Sequence, residues 1–357
     1  MKRIKFFLAW LLAATMVLHA QTVTFNPPTY VCYKLPAPIT IDGKITDEEW
    51  GAVPWMGDLK DIYDNGPAPY LKTQVKMAYD DDGLYLAARM EEPHIWATYT
   101  EHDTPLFQEH AFEFFIDPSN STHNYLEYEI NALGTEWDLL ISKPYRDAPM
   151  LTLSAWEFMG MKSKVYISGT LNNPSDRDEF WSVEIFFPWK SIYQVAVTRK
   201  RKPVEGDQMR VNIQRVEWAL EVKDGKYVKI IPPGETRAQP YFWVWASQGE
   251  TGTVHAPEYW GYVQFTEKVD GSEAVPFVMN PNEDVRAMLR NLYYRQKNYF
   301  QTHQSYTTSL AELKPEEIFP SASVGKLKLY NTPSFYEITY TDERGKVWHL
   351  AQDGLIW

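Results

Sequence analysis

The sequence predicts a mainly β protein, an antiparallel, jelly-roll-like β-sandwich followed by a small C-terminal α+β appendage. Three observations lead there. Short runs rich in β-branched and aromatic residues recur from residue 30 to about 266, clusters of Gly, Pro, Asn and Asp separate them, and helical periodicity is scarce until residue 282.

The strand-like runs are residues 74–79, 84–90, 111–116, 125–131, 137–142, 165–169, 181–187, 209–217 and 260–265. Each combines residues that fit a pleated, half-buried surface, and many alternate apolar with polar at the two-residue period of a strand. Turn chemistry falls between them, as in Asp80, Asp81, Asp82 and Gly83, in Asp117, Pro118, Ser119 and Asn120, and in Asn172, Asn173, Pro174 and Ser175. So many short strands with little helix between them imply two stacked layers. One short helix is expected over 46–50, where Thr46 and Glu49 have the spacing of a capping box. Beyond residue 270 the pattern changes. Asn282 can cap an amphipathic helix over 283–300 whose apolar positions include Val285, Met288, Leu289, Leu292 and Tyr299. A small helix at 309–313 and a meander at 327–330, 335–341 and 346–350 follow. This C-terminal stretch resembles the soluble part of pilin-like proteins and is a candidate surface for a protein partner.

The domain division is therefore 1–20, 21–270 and 271–357. The first twenty residues read as a signal peptide. Lys2, Arg3 and Lys5 precede an apolar run from Phe6 to Leu18, and Ala20 and Gln21 offer a cleavage point. The run is short of the roughly 20 residues that span a bilayer, and no later segment approaches that length, so no membrane span is expected. The product is expected to be exported, to the periplasm or the exterior. The single cysteine, Cys32, excludes disulfides within the chain and a multi-cysteine metal site. It sits in a strand-like stretch, where a buried, inert thiol is expected.

The net charge is −12, and Arg199 to Lys202 is the only basic run, so the electrostatic footprint of a nucleic-acid binder is missing. Aromatic residues make up 15% of the chain, an excess that a sugar-stacking surface or an aromatic core must absorb.

Strand alternation shows where polar groups collect. Phe112, Phe114 and Ile116 share one face and Glu113 takes the other, while Leu126, Tyr128 and Ile130 oppose Glu127, Glu129 and Asn131. In the same way Met209, Val211 and Ile213 oppose Arg210, Asn212 and Gln214. Sugar recognition needs such a face, with carboxylates and amides for hydroxyls and an aromatic ring for the C–H face of a pyranose. Trp137, Trp243 and Trp245 are candidate rings. Glu113 and Glu129, on neighbouring strands, also raise the alternative of a glycoside-cleaving pair. Asp80, Asp82 and Asp117 are hard oxygen donors suited to a structural calcium, and no other cofactor is implied.

Seven strings taken together resemble the family 9 carbohydrate-binding module. They are IDGKITDEEW at 41–50, AYDDDGLYL at 78–86, FQEHAFEFFIDP at 107–118, EIN at 129–131, WSVEIFFPW at 181–189, GDQMRVNIQR at 206–215 and WG at 260–261. The resemblance is strongest to long variants found in exported bacterial proteins. It implies a β-sandwich that binds oligo- or polysaccharides without catalysis, beside glycan-degrading enzymes, and in some members carries calcium. It also implies that Glu113 and Asn131 contact sugar between two aromatic platforms. In this sequence Phe107 takes the first platform position and Val254 falls near the second, so Trp96, Trp137, Trp156, Trp243 or Trp245 must rebuild it. A third reading is a cell-envelope scaffold whose C-terminal domain docks a partner.

Overall fold

The computed structural model describes residues 23–357 apart from 64, 150, 199, 270–272 and 333, so the expected signal peptide lies outside the described residues. The sandwich strands are β1 (Thr29–Lys34), β2 (Lys60–Asp61), β3 (Thr73–Tyr79), β4 (Gly83–Glu91), β5 (Ala111–Asp117), β6 (Tyr125–Ile130), β7 (Glu136–Ile141), β8 (Thr152–Leu153), β9 (Lys162–Ser168), β10 (Phe180–Pro188) and β11 (Gln208–Trp218). A small hairpin, β12 (Leu220–Lys223) and β13 (Lys226–Lys229), precedes β14 (Pro240–Val244) and β15 (Gly261–Val269).

The nine expected runs all form strands. Hydrogen bonding links the two layers into one sheet in the order β8-β7-β6-β5-β11-β15-β1-β3-β4-β10-β9, with β14 on β11 and β2 on β14. β1 joins the halves by running parallel to both β15 and β3, whereas the other pairings are antiparallel. The inner faces meet ring on ring. Phe114 of β5 stacks on Phe187 of β10 with centroids 5.3 Å apart, and Tyr128 of β6 meets the same ring edge-on at 5.4 Å. Cys32 is buried in this core, and burial pushes its thiol pKa up, which keeps it inert near neutral pH.

The short helix α1 (Asp47–Trp50) forms without the expected capping box. Glu49 accepts from the backbone N–H of Thr40 instead, and Trp50 is fixed by its indole N–H donating to buried Glu184 at 2.7 Å. A second short helix, α2 (Trp189–Tyr193), closes the end of β10.

The C-terminal unit comprises α3 (Asn282–His303), α4 (Ser321–Val324) and the meander β16 (Leu327–Asn331), β17 (Tyr336–Thr341) and β18 (Val347–Ala351). Its own core sets Leu289, Leu292 and Tyr293 of α3 against Ile338, Trp348 and Leu350. Asn282 lies inside the helix rather than at its cap, where Pro281 stands. Arg290 is buried: it donates to Thr122 of the sandwich at 2.9 Å and to the Gly354 carbonyl at 2.7 Å. Arg210–Glu283 and Lys297–Asp147 add ion pairs across the junction at 3.1 and 2.7 Å. Among the described residues no helix is long and apolar enough to cross a membrane.

Replacing Phe187 with Ala removes the ring that joins the layers. The expected cost is about 3–5 kcal/mol, the range for an aromatic lost from a close-packed core, measured by denaturant unfolding followed through tryptophan fluorescence.

Candidate functional site

The site lies on the face of β5, β6 and β11 that points away from the sandwich core. In the strand register Glu113 stands opposite both Glu129 and Gln214, and Phe115 stands opposite Glu127. Alternation therefore puts Glu113, Glu127, Glu129 and Gln214 on one face because Phe114, Tyr128 and Ile213 fill the other. That face is itself covered. Ile62, Phe115, Tyr125, Leu139, Val244, Val254 and Trp260 form a second apolar cluster over it. Between that cluster and the acids is a pocket of about 220 Å³, walled by Phe107, Trp137, Tyr145, Phe242 and His255.

Each group is held by a local device. Phe107 sits in a 3₁₀ turn just before β5, where its N–H donates to Glu129 Oε2 at 2.9 Å and its carbonyl accepts from the Trp218 indole at 3.1 Å. Trp137 is the cross-strand neighbour of Glu129, and its ring stacks with Phe107 at 6.2 Å and 30°. Gln214 donates to Glu113 Oε2 at 2.5 Å. His255 stacks on Tyr145 at 3.8 Å and meets the Tyr125 hydroxyl at 3.1 Å.

The three carboxylates lie within 4.8 Å of one another. Glu113 is 1% exposed, and among the described residues no Lys or Arg lines the pocket. Burial pushes the pKa values of Glu113 and Glu129 well above the usual carboxylate range, and repulsion from neighbouring glutamates adds to it. Burial pushes Glu127 up to about 8. Four buried polar atoms here have no protein partner, namely Glu113 Oε1, Glu127 Oε2, Gln214 Oε1 and Trp137 Nε1. Leaving such a group unpaired costs about 1–3 kcal/mol, a cost that a hydroxyl-rich ligand removes.

Of the residues singled out from sequence, Phe107, Glu113, Glu129 and Trp137 meet in this pocket, with Val254 on its wall. Asn131 does not. Its amide donates to the Tyr99 carbonyl and to Glu109, and its oxygen accepts from the N–H groups of Leu133 and Thr135, so its hydrogen bonds are spent buckling two loops together. Trp243 and Trp245 do alternate on one face, but it is the core face, where both are buried. Trp96 and Trp156 are also absent from the pocket wall. Sequence reasoning missed Glu127 and Gln214 as site members although alternation had marked their face. Tyr145, Phe242 and His255 arrive from elements whose position no local pattern signals.

Asp80 closes its own turn, accepting from the N–H groups of Asp82 and Gly83 and from the Tyr85 hydroxyl. Asp117 does the same with the N–H groups of Ser119 and Thr122. Asp80, Asp82 and Asp117 do not form a single cluster of donors within ligating range.

Residues 41–214 match the sequence model of the family described as carbohydrate family 9 binding domain-like. By this match the stretch is carbohydrate family 9 binding domain-like. The matched stretch ends on Gln214, so the acidic floor and the Phe107–Trp137 wall belong to it, while Phe242, Val254 and His255 lie beyond. No curated protein matches the chain. Several solved structures resemble it, among them these three. One is a Bacteroides uniformis protein described provisionally as carbohydrate-binding, with a TM-score of 0.49, 16% identity, and coverage of 67% of this chain and 100% of that one. The others are a Caldicellulosiruptor kristjanssonii family 9 module with cellotriose (TM-score 0.40, 18% identity, 71% and 100% coverage) and the same kind of module with glucose (0.40, 17%, 69% and 100%).

The raised carboxyl pKa values set a pH dependence. A proton held by the folded state above the unfolded pKa makes stability fall as pH rises from about 4.5 towards 8. Glu127→Gln mimics the protonated form, so its melting temperature should match wild type near pH 4.5 and exceed it increasingly towards pH 8. A difference that stays constant with pH would show that Glu127 titrates normally.

Proposed function

We propose that this protein is an exported, non-catalytic carbohydrate-binding protein, accessory to glycan degradation, and that its saccharide sits in the Glu113–Glu127–Glu129 pocket. The observation that carries the reading is the coincidence of four unpartnered buried polar atoms with the paired rings of Phe107 and Trp137. The free carboxyl and amide oxygens accept from sugar hydroxyls, the Trp137 N–H donates to one, and the rings cover the apolar face of a pyranose. The match of this stretch to a carbohydrate-binding family supports the same ligand class. Export rests on residues 1–20, and the accessory role rests on binding without turnover.

The arrangement of the acids favours binding over hydrolysis. A glycosidase sets its two carboxyl groups on either side of the scissile bond, about 5 Å apart or more. Here Glu113 and Glu129 are direct cross-strand neighbours on one floor, with Glu127 beside them.

Calorimetry with glucose and cellotriose, followed by a broader glycan array with calcium present, tests the reading. Wild type should bind at least one saccharide. Glu113→Gln replaces a carboxyl that both accepts and donates with an amide, at the cost of one neutral hydrogen bond, about 0.5–1.5 kcal/mol, so affinity should fall roughly two- to tenfold. Trp137→Ala should weaken binding roughly two- to tenfold through lost stacking. Absence of binding to every glycan overturns the proposal, and release of reducing sugar that disappears in Glu129→Gln overturns its non-catalytic part.

A further inference from the structure

A second cluster lies on the other side of β7 from Trp137. His102 and Asp103 come from the turn that precedes Phe107, Asp138 from β7, and Glu157 from the segment after β8. The three carboxylates converge on one ring nitrogen, with His102 Nε2 at 3.1 Å from Glu157, 3.4 Å from Asp103 and 3.9 Å from Asp138. Four ligands around a tetrahedral metal with bonds of roughly 2.0–2.2 Å are separated by roughly 3.3–3.6 Å, which falls within the observed spread.

The backbone holds these donors in place. Asp103 N–H donates to the Glu136 carbonyl of β7 at 3.2 Å, and Phe158 N–H donates to Asp138 Oδ2 at 2.6 Å, which fixes Glu157 next to it. Asp138 is 1% exposed, yet its second oxygen, Oδ1, has no hydrogen-bond partner, and neither has Asp103 Oδ1. Among the described residues, the three carboxylates form ion pairs only with His102, with no Lys or Arg among their partners. Asp138 is a buried carboxylate with no Lys or Arg beside it among the described residues, and a divalent ion is a compact way to compensate it together with its two more exposed neighbours. His102 and Glu157 are about half exposed, which leaves an entry path from solvent.

We propose that His102, Asp103, Asp138 and Glu157 bind a divalent transition-metal ion of the zinc or manganese kind. The imidazole separates this site from calcium and magnesium sites, which are built from oxygen alone. The metal links three chain segments that are far apart in sequence, and it staples the turn leading to Phe107 onto β7.

The test uses the full chain, stripped with chelator and titrated calorimetrically with zinc, manganese and calcium chlorides in turn. The expected result is one equivalent of zinc or manganese bound at least tenfold more tightly than calcium, with a raised melting temperature. His102→Ala and Glu157→Gln, both at half-exposed positions, should weaken binding tenfold or more while leaving the circular dichroism spectrum unchanged. Cobalt in place of zinc should give visible d–d absorption that His102→Ala removes. No binding, calcium binding as tight as zinc, or zinc binding unaltered in both variants overturns the proposal. All these readouts are independent of sugar, so they stand or fall separately from saccharide binding.

Discussion

Contact of Phe114 and Tyr128 with Phe187 is the interaction on which the site depends. It fixes which face of β5 and β6 points into the sandwich, and the two-residue period then dictates everything on the opposite face. A register slip of one residue would send Glu113, Glu127 and Glu129 into the core and Phe114 and Tyr128 out of it. The strands thus place three acids side by side by serving a different need, the packing of an aromatic interior.

The chain handles its buried acids in two ways. Glu92 and Glu217 are bridged by the Arg215 guanidinium at 2.9 and 2.8 Å, with His110 between them, so that cluster holds a cation among its acids. The pocket glutamates have no such cation. Burial and mutual repulsion are relieved there by protonation, by Gln214 and by the Phe107 N–H, and polar atoms remain unpaired. A folded protein retains an arrangement like this at positions where something outside the chain completes it. The same contrast marks the His102 cluster, where one half-exposed imidazole faces three carboxylates and, among the described residues, no Lys or Arg pairs with them.

The long strand β11 joins these regions. Its first residues, Gln208–Val211, pair with β15, and from Gln214 onward it pairs with β14. At the changeover Asn212 fills the gap with its amide, donating to the Ala246 carbonyl and accepting from the Ala246 N–H. β14 then carries Phe242 to the pocket wall and buries Trp243 in the core. Near its start β11 also supplies Arg210 to Glu283 of α3, which ties the C-terminal unit to the sandwich.

Much of the fold was legible because strand periodicity, turn residues and helix amphipathicity are local properties. The nine runs, the C-terminal helix and the meander could be read directly, as could the acidic face of β5 and β6. The alternation of Trp243 and Trp245 was equally legible, but alternation says only that two rings share a face, and tertiary packing made that face the core. Asn131 had the right chemistry for a sugar contact, and loop contacts consumed it. Conversely, Tyr145, Val254 and His255 lie in irregular segments whose course over the sheet depends on distant contacts. The sequence by itself determined the strands and the composition of each strand face. Only the tertiary structure decided which face was covered, by which loops, and which polar atoms were left unpaired, because those outcomes depend on contacts between segments remote along the chain.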